Sequence, residues 1–152
     1  MKNNDFVILV TGIPALGKSM LAEKLSADLG FPWFSKDRIK EKLYDTIGFA
    51  SRAEKVRLGI ASMAVLFYLA EQMMQCGKSF ILENNFEADS RPESAAPSPT
   101  ITLEQYIAAI RARKKDSFDA GGRVITVDTT DFSRVDWDKL YQEIECFVWM
   151  EA

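Results

Sequence analysis

The stretch Phe6-Val7-Ile8-Leu9-Val10-Thr11-Gly12-Ile13-Pro14-Ala15-Leu16-Gly17-Lys18-Ser19 decides the fold. Phe6 to Val10 is a continuous apolar run without polar alternation, the pattern of a central parallel strand covered on both faces. After Ser19 the period changes: Leu21, Leu25 and Leu29 recur every four residues and stop at Gly30, with Pro32 beyond, which marks a helix. Between them, Gly12 to Ser19 fits GxxxxGK[ST] at every fixed position. The chemistry needs these residue types. Glycines permit the tight path, backbone N–H groups and the helix dipole surround a polyphosphate, the lysine reaches the outer phosphates, and the serine hydroxyl is offered to Mg²⁺. The expected phosphate-binding set is Gly12, Ile13, Pro14, Ala15, Leu16, Gly17, Lys18 and Ser19 with the following Met20; Ser19 also counts as a metal ligand.

Outward from this unit, strand and helix patterns alternate. Trp33-Phe34 is a short second strand, and Ser35-Lys36-Asp37 is the capped start of a helix running to about Thr46. Ser51 opens the longest helix, with Val56, Ile60, Met63, Phe67, Ala70 and Met74 at spacings of three and four as its apolar face, ending near Gly77. Its Met and aromatic residues read as core. Phe80 to Glu83 is a third strand with an acidic end, followed by Asn84-Asn85. Ser90 to Pro99 is a Ser, Pro and Ala-rich loop, and Leu103 to Lys115 a helix closed by Gly121-Gly122. The basic run Arg111 to Lys115 suits a solvated helix end or, less well, a phosphate clamp. Val124 to Val127 is a fourth strand, Asp128 to Asp131 a polar turn, and Trp137 to Trp149 a last helix. Such alternation predicts a single α/β domain over residues 1–152 with a parallel sheet, whose ligands sit at the carboxyl ends of the strands. Asp37, Glu83 and Asp128 to Asp131 follow strands directly and are expected to converge there with the Gly12–Ser19 loop.

Composition narrows the chemistry. The 152 residues are 47% hydrophobic and 27% charged, enough for a sizeable core without a membrane or disordered character. There is no histidine, so a general base falls to a carboxylate, and His-ligated metal is excluded. Cys76 and Cys146 lack CxxC spacing and are expected as buried free thiols. The five apolar residues after Met1 to Asp5 are too short for a signal core or a span, which predicts a cytoplasmic protein. A net charge of −3 does not suit nucleic-acid binding.

Thr11 to Ser19, Phe34 to Glu41, Ile81 to Phe86 and Val127 to Asp131 together resemble the small P-loop kinases often labelled AAA-family ATPases, relatives of the zeta-toxin, chloramphenicol phosphotransferase and polynucleotide kinase group. The resemblance spans 6 to about 93 and 101 to 150. It implies a P-loop NTPase three-layer sandwich of the nucleotide-kinase type, ATP with Mg²⁺ as donor, and a hydroxyl of a small molecule as acceptor. By that resemblance Asp37 is the base on the acceptor hydroxyl, with Arg38 beside it and Lys18 in catalysis. Glu83 holds Mg²⁺ or its water, Asn85 orients substrate, and Asp128 and Thr129 lie near the nucleotide base. Bland roles fit the same residues: Asp37 as a first-turn helix acid, Glu83 as a solvated strand end, and Asp128 to Asp131 as a helix cap. The pattern departs from the family after the third strand. Ser90 to Pro99 stands where the family has a further strand and an arginine-bearing lid helix, so the sheet counts four strands instead of five. Without lid cations, nucleotide binding with little transfer is a competing expectation, and a kinase for 5′-hydroxyl ends of nucleic acid a third.

Overall fold

A computed structural model describes residues 6–12, 15–85 and 122–150, with residues 148–150 described by their backbone. Three strands, β1 (Val7–Val10), β2 (Trp33–Ser35) and β3 (Phe80–Glu83), form a parallel sheet in the order β1-β3-β2. Among the described residues four helices accompany it: α1 (Lys18–Leu29), α2 (Lys36–Ile47), α3 (Arg52–Gln75) and α4 (Trp137–Met150). Their ends follow local chemistry. Gly30 closes α1 in the left-handed conformation, donating its N–H to the Ser26 carbonyl. The Ser35 and Ser51 hydroxyls accept from the N–H groups of Arg38 and Glu54, and the Asp136 carboxylate accepts from Lys139 N–H at 3.0 Å at the start of α4.

The pleat of β3 divides the core in two. Phe80 and Leu82 face Met63, Leu66 and Ala70 of α3. Ile81 faces the other way, toward Val10, Ala22 and Leu25 and toward Leu140 and Ile144 of α4. All four β3 residues are buried. Among the described residues the central strand is therefore β3 and not β1, where the longer apolar run had placed it; Val7 is 36% exposed. An apolar run reports covered side chains but not which strand has neighbours on both edges. At the outer surface, Asp28 of α1 accepts hydrogen bonds from Lys24 and from Tyr141 of α4. These donors hold the Asp28 carboxyl below the usual carboxylate range, while burial and Asp28 push the Tyr141 phenol up.

Three further expectations need correction. Val124 to Val127 is not a fourth strand. Ile125 and Val127 pack onto the α1 and α4 side of the core while Val124 is 61% exposed. The apolar residues that suggested a strand are held by inward packing, which does not require ladder hydrogen bonds. The apolar face of α3 also shifts: Met63, Leu66 and Ala70 are buried with Ser62, whereas Val56 and Ile60 are exposed at 56% and 50%. Its N-terminal half extends along α2 beyond the sheet, and the sheet is what buries the other half. Cys76 and Cys146 form no disulfide but are exposed. Both lie at or near helix surfaces that no core faces. The expected Ser90 to Pro99 loop, the Leu103 to Lys115 helix with its basic run, and the question of a lid fall outside the described residues.

Because Phe80 is fully buried between α3 and β2, Phe80→Ala is expected to cost about 3–5 kcal/mol. Urea unfolding read by circular dichroism checks this; a loss below about 1 kcal/mol would show that the α3 side of the core does not depend on β3.

Candidate functional site

The register of the sheet builds the site. Val10 pairs with Glu83 and Glu83 with Ser35, so the three strands end level with one another. The chain segments beyond them therefore leave from one edge. Two bonds stitch β1 to β3 just past the ladder: Asn84 N–H donates to the Val10 carbonyl at 3.2 Å, and the Thr11 hydroxyl donates to the Asn85 carbonyl at 3.2 Å. Over this edge lies a cavity of about 190 Å³ lined by Ala15, Gly17, Lys18, Ser19, Met20, Asp37, Glu83 and Asn85.

Each wall has a physical origin. Gly17 sits at φ 72° immediately before α1 and offers no side-chain cap. The first-turn N–H groups of a twelve-residue helix thus have no cap from the preceding side chain, and with no acid in that turn the positive end of the dipole is uncompensated there. Ala15 also takes a left-handed φ of 67°, a conformation costly for any residue with a Cβ. Lys18 folds back along the loop: a Cβ on Gly12 would meet its methylenes at 3.8 Å. Asp37 is in the first turn of α2, the helix that follows β2. Glu83 is only 3% exposed, and its Oε2 is buried without a hydrogen-bond partner. A solvated strand end is thereby excluded for Glu83. A buried carboxylate oxygen left unsatisfied is costly unless a cation or a donor joins it.

The remaining expected residues are placed differently. Arg38 does not line the cavity; its guanidinium lies 4.2 Å from the Trp33 ring centroid and 3.8 Å from the Glu23 carboxylate. Adjacent helix residues point about 100° apart, so with Asp37 turned to the cavity Arg38 is carried to the flank facing α1. Asp128 and Thr129 are not cavity residues either. The Asp128 carboxylate accepts from Thr130, which holds it below the usual range, and Asp131 caps the short 3₁₀ turn Phe132–Arg134 by accepting from Ser133 N–H at 3.0 Å. Thr129 instead braces the loop from behind, its hydroxyl donating to the Leu16 carbonyl at 2.6 Å. Ile13 and Pro14 lie outside the described residues. Sequence reasoning missed Phe132, whose ring backs Gly17 so closely that a Cβ there would stand 2.5 Å from Cε2. No motif spacing points to it; only the aromatic next to the polar turn hinted at packing.

No known family and no curated protein matches the sequence. Among solved structures, the chain is similar to a candidate kinase from Chloroflexus aurantiacus J-10-fl, known at 1.70 Å. The TM-score is 0.69 at 27% identity, over 95% of this chain and 96% of that one. The fold is kinase-like. Within it, the cavity joins an uncapped helix start and a lysine to two carboxylates, a donor set suited to an anion and a cation held together.

The left-handed φ and the ring behind it make Gly17 doubly restricted. Gly17→Ala is expected to lose about 1–2 kcal/mol from backbone conformation alone, and more from the Phe132 contact. In a Phe132→Ala background the second part disappears, so the two substitutions should couple by about 1 kcal/mol. Additive losses in urea unfolding of the four proteins would mean that the ring does not constrain the loop.

Proposed function

We propose that the chain is a P-loop kinase that binds ATP with Mg²⁺ and transfers the γ-phosphoryl group to a hydroxyl of a small molecule. The observation that carries this reading is the single cavity in which Gly17 to Met20 meet Asp37 and Glu83, set in a fold similar to a candidate kinase. Bound Mg-ATP supplies the transferable phosphoryl group. The chain's own residues do the rest. The uncapped N–H groups at the start of α1 and the Lys18 ammonium neutralise phosphate charge. Ser19 and Glu83 would hold the metal, and the unsatisfied buried Oε2 of Glu83 fits that role better than any role in the metal-free protein. Among the described residues no cluster of three or more acidic or thiol ligands exists. Mg²⁺ asks for none, because one or two protein oxygens beside phosphates and water suffice. Asp37 orients the acceptor hydroxyl and takes its proton late, work open to a carboxylate.

A second reading, nucleotide binding with slow transfer, draws on the position of Arg38. With Arg38 drawn to Trp33 and Glu23, Lys18 is the one cation among the described residues lining the cavity. Fewer cations at the transferring group mean less stabilisation of its developing charge.

Two variants separate donor binding from chemistry. Lys18→Ala is expected to weaken ATP binding at least about tenfold. Asp37→Asn should leave ATP affinity within about twofold while transfer falls about a hundredfold or more. Calorimetry with ATP and a mass-shift screen of metabolites after incubation with Mg-ATP provide the readouts. Undiminished ATP affinity in a folded Lys18→Ala protein would sink the proposal, and wild-type binding without any transfer would favour the second reading.

Glu83→Gln has its own expected signature. It removes a buried carboxylate charge, so the nucleotide-free protein should melt no lower than wild type, while the gain in ATP affinity on adding Mg²⁺ should shrink. Equal Mg²⁺ dependence in both proteins would remove Glu83 from the metal site.

A further inference from the structure

The outward face of α3 is apolar where a surface helix is ordinarily polar. With Ser62, Met63, Leu66 and Ala70 turned to the core, the opposite side carries Ala53, Arg57, Ile60, Ala61, Ala64, Val65 and Tyr68. Ile60 is 50% exposed, Val65 40% and Tyr68 60%. From Leu58 to Ala70 the helix has no charged residue; Arg57 stands at one end of this run and Glu71 at the other.

The helix is long and apolar enough by composition to cross a membrane, but its geometry argues otherwise. The uncharged run is roughly 20 Å long at the rise of a helix, short of the ~30 Å hydrocarbon thickness. One flank of the run is also already used by the core.

The placement of the charges points to a different occupant. Arg57 and Glu71 are equidistant from Ala64, and so are Ile60 and Tyr68. An antiparallel second copy crossing at Ala64 therefore sets Arg57 against the second copy's Glu71 and Glu71 against its Arg57. Each Ile60 then meets a Tyr68, and two small Ala64 side chains meet at the crossing, where the helices approach closest. A parallel copy would oppose like charges instead. We infer that the exposed face of α3 is a twofold interface between two copies of this chain, antiparallel and centred on Ala64. The interface is isologous, as most dimers are, and it stands independently of the kinase reading. A strip about 36 Å long, the full length of α3, and 10–12 Å wide buries roughly 800 Å² in total, below the ~1,000 Å² of a stable specific interface and in the weak, transient class. Association is therefore expected in the micromolar range.

Sedimentation equilibrium of the full chain tests this between about 1 and 200 μM. The mass should rise from 17.1 kDa toward twice that value. Ala64→Arg, at an exposed position, should keep the circular dichroism and urea midpoint of the monomer and abolish the dimer. Arg57→Glu should weaken association at least about tenfold, and Arg57→Glu with Glu71→Arg should restore it, because only the antiparallel register exchanges those two positions. A monomer at every concentration overturns the inference and means that the face is covered within the chain. A dimer indifferent to these substitutions, or co-sedimentation of the protein with phosphatidylcholine vesicles, also overturns it.

Discussion

The level ending of the three strands is the constraint on which everything at the site depends. Val10, Glu83 and Ser35 are matched across the ladder, and parallel pairing tolerates no partial slip, because moving β3 by one residue would exchange its two core faces. Phe80 and Leu82 are committed to α3, and Ile81 to α1 and α4. Hydrophobic burial on both sides thereby fixes where Glu83 stands along the sheet. The carboxylate is held at the cavity by packing one to three residues away, and no hydrogen bond of its Oε2 contributes.

That arrangement stores cost where ligands are expected. An unsatisfied carboxylate oxygen, a left-handed alanine and an uncapped helix start all surround the same small cavity. Each is unfavourable in isolation, and the carboxylate oxygen and the helix start would be relieved by a donor or a partner of opposite charge. The surrounding structure is built to hold them regardless: the β1–β3 stitches at Asn84 and Thr11 from below, and Thr129 and Phe132 from behind. Preorganisation of this kind lowers the reorganisation required when a charged ligand arrives.

What could be read from the chain was mostly local. The Gly12–Ser19 spacing, the serine caps of α2 and α3 and the acidic end of β3 are short-range patterns, and local chemistry suffices to place them. Features governed by distant neighbours were harder. Five apolar residues could not reveal that β1 has a ladder partner on only one side among the described residues, and the apolar residues of Val124 to Val127 could not reveal that its backbone joins no ladder. Arg38 beside Asp37 invited a shared role, yet a helix turns consecutive side chains apart, and Trp33 with Glu23 offered Arg38 a stacked and charged partner elsewhere. Phe132 touches a residue far away in sequence and carries no motif at all.

The bracing of the loop from behind has a consequence for how the protein comes into being. The hydroxyl of Thr129 reaches a carbonyl 113 positions earlier in the chain, and the ring three residues further on closes over Gly17. A polypeptide leaving the ribosome from its amino end exposes residues 12 to 19 long before these braces exist. During synthesis the glycine-rich turn is thus an unbraced loop at the edge of an unfinished sheet until Thr129 and Phe132 have emerged. A ligand held by this loop would then stabilise only chains that extend through Phe132, and a product interrupted before that point would gain no stabilisation from it.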